Sequence, residues 1–231
     1  MVVQACLNGD RETGVPRTPE ELADAGRTCV AAGADSIHAH PRDADGHETL
    51  GAEDTAAAVR ALRPLGVELS FTTGLWITAG DADARLRAIS AWTDVPDLVS
   101  LNLSEDGWRE LAALLGSRGI GIEAGVWNPA DVERLVASGV VARRILVEPR
   151  SENPHDAVAM AQEIDAALDA ARSRTPRLHH GVGPATWVVL DAAVPRGHDI
   201  RIGLEDVLTL PDMRSAPDNA ALVVEAALRY R

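Results

Sequence analysis

The sequence predicts a single (β/α)8 TIM barrel, on three observations. Apolar, β-branched runs alternate with amphipathic segments, the runs number eight, and polar residues gather where each run ends. Eight strand-then-helix units are the count that closes such a barrel, whereas a doubly wound open sheet usually needs about five to seven strands.

The first strand is read at 2–7 and the first helix at 18–33, opened by Thr18-Pro19-Glu20-Glu21: a cap, a proline at the first helical position and an acidic first turn. Strand two covers 35–40 and helix two 52–63; strand three covers 67–72 and helix three 80–91. Strand four at 97–102 precedes a helix at 105–116, and strand five at 119–123 a helix at 129–138, where Asn128-Pro129 repeats the opening device. Strand six at 143–148, strand seven at 177–180 and strand eight at 199–205 lead into helices at 154–172, 184–194 and 218–230. Gly33, Gly66, Gly116 and Gly139 are read as closing four of the helices.

No linker interrupts this rhythm, so one domain is expected over 1–231. A hydrophobic fraction of 46% with 25% charged residues suits an ordinary globular core. The N-terminal run lacks a signal peptide's positive flank and no apolar run reaches spanning length, so a cytoplasmic protein that does not insert in a membrane is expected. A net charge of −13 without a basic patch opposes nucleic acid as a partner. Cys6 and Cys29 lack CxxC spacing and read as small buried hydrophobes. All 22 basic residues are arginine, so Schiff-base chemistry on a lysine is excluded. An electron sink beside a carbonyl must then come from a metal or from arranged hydrogen-bond donors.

In a barrel the chemistry gathers at the C-terminal ends of the strands. Those ends carry Asn8 and Asp10, His38 and His40, Thr72 and Thr73, Asn102, Glu123, Glu148, His179 and His180, and Glu205 and Asp206. His38 and His40, two apart on a strand, aim both imidazoles into one space. Alone, this pair fits two hydrogen-bonded histidines as well as a chelate. In strand eight Arg201, Gly203 and Glu205 share one face, so Glu205 is placed to complete a zinc site of two histidines and a carboxylate. The alternative is an Arg201–Glu205 ion pair that props the barrel. Gly181 and Gly183 form a turn opening a helix where barrels often bind phosphate, although a tight turn needs glycines too. Glu123 and Glu148 each have the chemistry of an acid, a base or an extra ligand; Glu123 is kept as a catalytic candidate and Arg42 as a substrate-binding one. The tryptophans near strand ends read as packing residues, and His47, His155 and His198 as solvated or structural.

Leu7-Asn8-Gly9, Pro16-Arg17-Thr18-Pro19-Glu20-Glu21-Leu22 and the run from Ala32 to Gly46 that contains His38-Ala39-His40-Pro41-Arg42-Asp43 resemble the β-keto acid cleavage enzymes. The resemblance continues through Thr72-Thr73-Gly74, Ser100-Leu101-Asn102-Leu103, Gly181-Val182-Gly183 and Arg201 to Asp206, and ends at Asn219 to Val223. It implies a (β/α)8 barrel with zinc held by His38, His40 and Glu205. It further implies that a β-keto acid and acetyl-CoA exchange carbon units, giving acetoacetate and a new CoA thioester. Arg201 and Asp206 would orient and deprotonate the keto acid, and Thr72 and Asn102 would touch it. A homo-oligomer is the expected assembly. The chain is shorter than most members of that family. It has Val207 where the family usually has Asn, and Leu75-Trp76 where a second Gly is usual; both changes are expected to alter the pocket wall. Two other readings use the same site: a metal-dependent hydrolase or isomerase in which Glu123 or Asp206 activates water, and a binding barrel without turnover.

Overall fold

The computed structural model describes residues 1–230. Eight parallel strands close into a barrel in chain order: β1 Val3–Cys6, β2 Ser36–Ala39, β3 Glu68–Phe71, β4 Leu98–Asn102, β5 Gly121–Val126, β6 Arg144–Val147, β7 Arg177–His179 and β8 Asp199–Ile202. Closure comes from β8 against β1, with Gln4 opposite Arg201 and Ala5 opposite Ile202. The helices are α1 Pro19–Ala32, α2 Ala52–Leu62, α3 Ala82–Ser90, α4 Trp108–Ser117, α5 Pro129–Ser138, α6 Pro154–Ala170, α7 Thr186–Ala193 and α8 Asn219–Tyr230. No helix is long and apolar enough to cross a membrane among the described residues.

The expected start signals operate. Thr18 accepts from the Glu21 amide while Glu21 reaches back to the Thr18 amide, and the Asn128 side chain caps α5. Gly33 and Gly139 end their helices in the left-handed conformation. Gly116 instead lies inside α4, and Gly119 supplies the left-handed turn three residues later.

Alternation along each strand sorts side chains into two shells. The outward set, with Val3, Ala5, Ile37, Ala39, Leu69, Phe71, Ile200 and Ile202, packs beneath α1, α2 and α8 against Leu22, Leu62 and Leu222. A second apolar layer joins β4, β5 and β6 to α3, α4, α5 and α6 through Leu101, Ile122, Leu111 and Ile164. Each Val, Leu, Ile or Phe among them contributes about 1.5–3 kcal/mol by leaving water.

The inward set is polar. Gln4 Nε2 donates across the barrel to Glu123 Oε1 at 2.8 Å, Ser70 donates to Glu123 Oε2, and Arg144 Nε lies 2.9 Å from Glu123 Oε1 while also pairing with Glu68. The floor of the barrel is therefore an ion network rather than an apolar plug, with Gln4 Oε1 and Arg144 Nε left without a hydrogen bond, and the polar mouth stands on it.

Two strand ends differ from the sequence reading. β5 runs on to Val126, because Gly121 to Val126 alternates against both β4 and β6. Glu123 is thus mid-strand and wholly buried, not at the mouth. β8 stops at Ile202, and the chain turns through Gly203, whose missing side chain lets the backbone press on Cys6; a Cβ there would meet the Cys6 carbonyl oxygen at 1.9 Å. Glu205 and Asp206 reach the mouth from this turn, held by the Asp206 and Val207 amides donating to the Gly203 carbonyl.

Candidate active site

A cleft of about 160 Å³ opens over the C-terminal ends of the strands, where His38, His40, Thr72, Asn102, Glu148, Arg201, Glu205 and Asp206 converge. His38 comes from β2 and His40 from the residue just beyond its end, both turned inward by the period-two geometry.

Each imidazole is oriented through its far nitrogen. His38 Nδ1 lies 3.0 Å from Ser70 Oγ, whose only proton goes to Glu123, so the serine oxygen accepts and His38 carries its hydrogen on Nδ1. His40 Nδ1 donates to Glu48 Oε1 at 2.5 Å. Both Nε2 atoms therefore face the cleft, 3.1 Å apart, with Glu205 Oε1 at 3.4 Å from His40 Nε2 and Oε2 at 3.8 Å from His38 Nε2. Burial and then the Arg201 charge push His38 well below the ordinary histidine range. Burial acts the same way on His40, but the carboxylates of Glu205 and Glu48 outweigh it and lift His40 to about 9.

This donor set fits a divalent metal. Donors sharing a tetrahedral zinc at bond lengths of about 2.0 Å stand about 3.3 Å apart, close to the separations seen. Glu205 Oε2 is buried without a hydrogen-bond partner, and both histidines have the oxygen-tied outer nitrogen typical of metal ligands. A second group, Asp165, His179 and His198, has donors of the same types outside the barrel mouth. There both carboxylate oxygens already face guanidinium groups, from Arg177 at 2.8 Å and Arg196 at 3.3 Å, which oppose a cation.

Arg201, on β8 with its head in the cleft, pairs with Glu205 and lies 3.3 Å from Asp206 Oδ1. The ion pair and the ligand reading thus coexist, since Glu205 meets Arg201 and both histidines. Asp206 also accepts from Cys6 Sγ at 2.8 Å and faces His180 Nδ1 at 3.4 Å. Burial alone would raise the Asp206 carboxyl, but Arg201 and His180 prevail and hold it below the usual carboxylate range. It is an ionised, enclosed carboxylate. Thr72 Oγ1 accepts from the Gly74 amide, which leaves its proton to donate into the cleft; Asn102 lines the wall with its amide donating to Glu105.

Four of the candidate residues lie away from the cleft. Glu123 lies beneath the site in the floor network. Arg42 is buried with its guanidinium on the Gly9, Arg11 and Gly46 carbonyls, so it ties the loop after β1 to the loop after β2 instead of facing substrate. Gly183 adopts a left-handed φ of 55° and its amide donates to the Asp206 carbonyl at 2.7 Å, so it is not the free donor that phosphate binding asks for. Gly181 is there for close packing, since a Cβ would meet the Ala185 oxygen at 2.8 Å. Val207 is buried against the apolar layer and does not line the cleft, whereas Trp76 does, with its indole over Gly74 and its Nε1 on Glu48.

A family model described as beta-keto acid cleavage enzyme matches residues 1–230. The chain belongs to this family. Among solved structures, ObcA in a binary complex with oxaloacetate is 20% identical with a TM-score of 0.71, covering 93% of this chain and 63% of that one. ObcA in a ternary complex with a C4-CoA adduct and oxalate is 19% identical with a TM-score of 0.72 and the same coverage, so this chain spans less than two thirds of that relative's length. A thiamine phosphate pyrophosphorylase from Pyrococcus furiosus is 15% identical with a TM-score of 0.57, covering 98% of this chain and 94% of that one. These likenesses establish the barrel fold that the family membership also carries.

Proposed function

We propose that this protein is a zinc-dependent enzyme that condenses a short β-keto acid with acetyl-CoA, cleaving a carbon–carbon bond to give acetoacetate and a new CoA thioester. The observation that carries this reading is the direct contact of Arg201 with both Glu205 and Asp206, which sets an ionised carboxylate beside a three-donor metal site. His38, His40 and Glu205 would hold the metal, which when bound supplies Lewis-acid polarisation of the keto acid's oxygens.

The chain's own residues divide the remaining work. Asp206, locked by Cys6 and Arg201, takes the proton from the carbon between the two carbonyls. Arg201 stays charged, because Asp206 and Glu205 more than offset the effect of its burial, and it orients the base. Thr72 donates its hydroxyl proton to the substrate, Asn102 shapes the wall, and Trp76 narrows the entrance. Val182 lines the cleft, so the turn at 181–183 is the proposed approach for acetyl-CoA, by wall contacts and not through the Gly183 amide.

Support comes from the family match, and from the ObcA complexes with oxaloacetate and with a C4-CoA adduct and oxalate. The test is a panel of β-keto acids incubated with acetyl-CoA and zinc-loaded protein, with CoA thioesters read by mass spectrometry. A new thioester with matching acetoacetate is expected. Turnover that ignores CoA and consumes water would replace this reading with a hydrolase.

A further inference from the structure

Trp76 stands between two hollows. On one side is the cleft, of about 160 Å³; on the other is a second hollow of about 450 Å³, walled by the loops after β1, β2 and β3 through Thr13, Arg17, Glu48 and Ile77. Trp76 and Asp10 line both. Asp10 is exposed at the rim, so the indole forms the partition. Two contacts hold the ring there. Its Nε1 donates to Glu48 Oε2 at 2.9 Å, and its six-membered edge lies on Gly74, where an added Cβ would meet Trp76 carbons at 2.3 to 2.5 Å. Gly74 has an ordinary φ of −52°, so the ring, not the backbone, is what requires glycine at this position.

The position of this partition bears on the substrate. Trp76 follows β3 and Val182 follows β7, half-way round the closed ring of strands from each other, so the two stand on opposite walls of the cleft. With acetyl-CoA approaching by the Val182 wall, the tail on the β-carbonyl carbon of the keto acid is left the opposite direction. There it meets the indole, whose ring centroid is 6.3 Å from that of His40. A short tail ends against the ring. A longer one needs the space that the ring closes off.

We infer that Trp76 is a specificity-determining residue that sets the tail length of the β-keto acid by closing the cleft against the second hollow; this rests on the reading of the cleft as a β-keto acid site. The substrate class is a β-keto acid with a short tail, and the second hollow is the space a longer tail takes once the ring is gone. The bulk of the indole does the excluding. Its bond to Glu48 and its seat on Gly74 keep that bulk in place. Removing the ring, or taking away its seat, therefore joins the two spaces.

The experiment uses straight-chain β-keto acids with ethyl, propyl and pentyl tails. It measures kcat/KM for each with acetyl-CoA, and separately the binding of each by calorimetric titration of zinc-loaded protein without acetyl-CoA. In the wild-type chain both quantities should fall by about 10-fold or more between the propyl and pentyl tails. In Trp76→Ala the fall should shrink to about twofold or less. Gly74→Ala, which keeps the indole but places a methyl group in its seat, should flatten the profile in the same direction. Trp76→Phe, which keeps most of the bulk and loses the N–H, should retain the wild-type preference; circular dichroism confirms the fold of each variant. A wild-type protein that treats all three tails alike, or a fall that persists in both Trp76→Ala and Gly74→Ala, would overturn the inference. So would a Trp76→Phe profile as flat as that of Trp76→Ala, since the limit would then run through Glu48. Wild-type protein that binds the acids with this length preference but forms no thioester would remove the proposed reaction and leave the partition standing, whereas binding of none of them would remove both.

Discussion

The Nε2 atoms of His38 and His40 stand 3.1 Å apart, while each ring's Nδ1 is tied to an oxygen, Ser70 Oγ for one and Glu48 Oε1 for the other. Two lone pairs facing each other at that distance repel unless a cation lies between them or one ring takes a proton. Purified protein should accordingly hold about one equivalent of zinc per chain. His38→Ala and Glu205→Ala should each lose most of it in elemental analysis. A preparation that refuses zinc after prolonged incubation would remove the metal from the proposal.

Glu48 supports the site without being a ligand. Glu48→Gln keeps the shape but replaces a charge-assisted hydrogen bond to His40 with a neutral one, so zinc affinity should fall about 10- to 100-fold while circular dichroism is unchanged. Competition with a chelator measures this. An unchanged affinity would show that the 2.5 Å contact contributes nothing to binding.

Asp206→Asn removes the proposed base while retaining size and much of the hydrogen bonding. Turnover should fall by about 100- to 10,000-fold with zinc content preserved. Near-normal rates on a confirmed substrate would assign the proton transfer elsewhere. Arg201→Met should behave differently, since it leaves the buried Glu205 and Asp206 without their shared cation; a loss of about 3–5 kcal/mol in urea unfolding is expected before any kinetic effect is read.

Much of this site was legible from spacing. His38 and His40 share a face because strand side chains repeat every two residues, and Arg201 follows the same rule on β8. Glu205 was found by extending that alternation past Ile202, where the backbone in fact turns; the residue arrives at the right place by a different path. Glu123 was misplaced for the converse reason, because β5 runs three residues further than its apolar pattern suggested. Arg42 looked like a substrate cation, but its partners are carbonyls in loops that only the closed barrel brings together. Ser70 could have been noticed, being two residues before Thr72 and hence on the same face. Glu48 had no local signal: its approach to His40 depends on the loop after β2 folding back so that Arg42 bridges Glu48.

Cys29 predicts an alkaline limit. Burial, then the Asp218 carboxylate, pushes its thiol up to about 12, so the folded chain keeps the proton that an unfolded chain releases near about 8.5. The resulting stability is complete below the unfolded value and is lost as pH rises from about 9 to 12. Cys6, buried beside Asp206, is raised in the same direction. Unfolding midpoints should drop across that window, less steeply in Cys29→Ala, and Ellman's reagent at pH about 8 should label neither thiol until denaturant is added.

The ion network on the barrel floor also ranks what an engineer can change. Replacing Glu123 and Arg144 together by apolar residues of similar volume is the usual route to a sturdier interior, because buried ion pairs rarely repay their dehydration. In this chain that swap would free the Ser70 hydroxyl to turn and donate to His38 Nδ1, driving the imidazole hydrogen onto the nitrogen that faces the cleft. Thermal hardening and metal uptake would then pull in opposite directions, so a screen for heat resistance alone would favour barrels that have lost their chemistry.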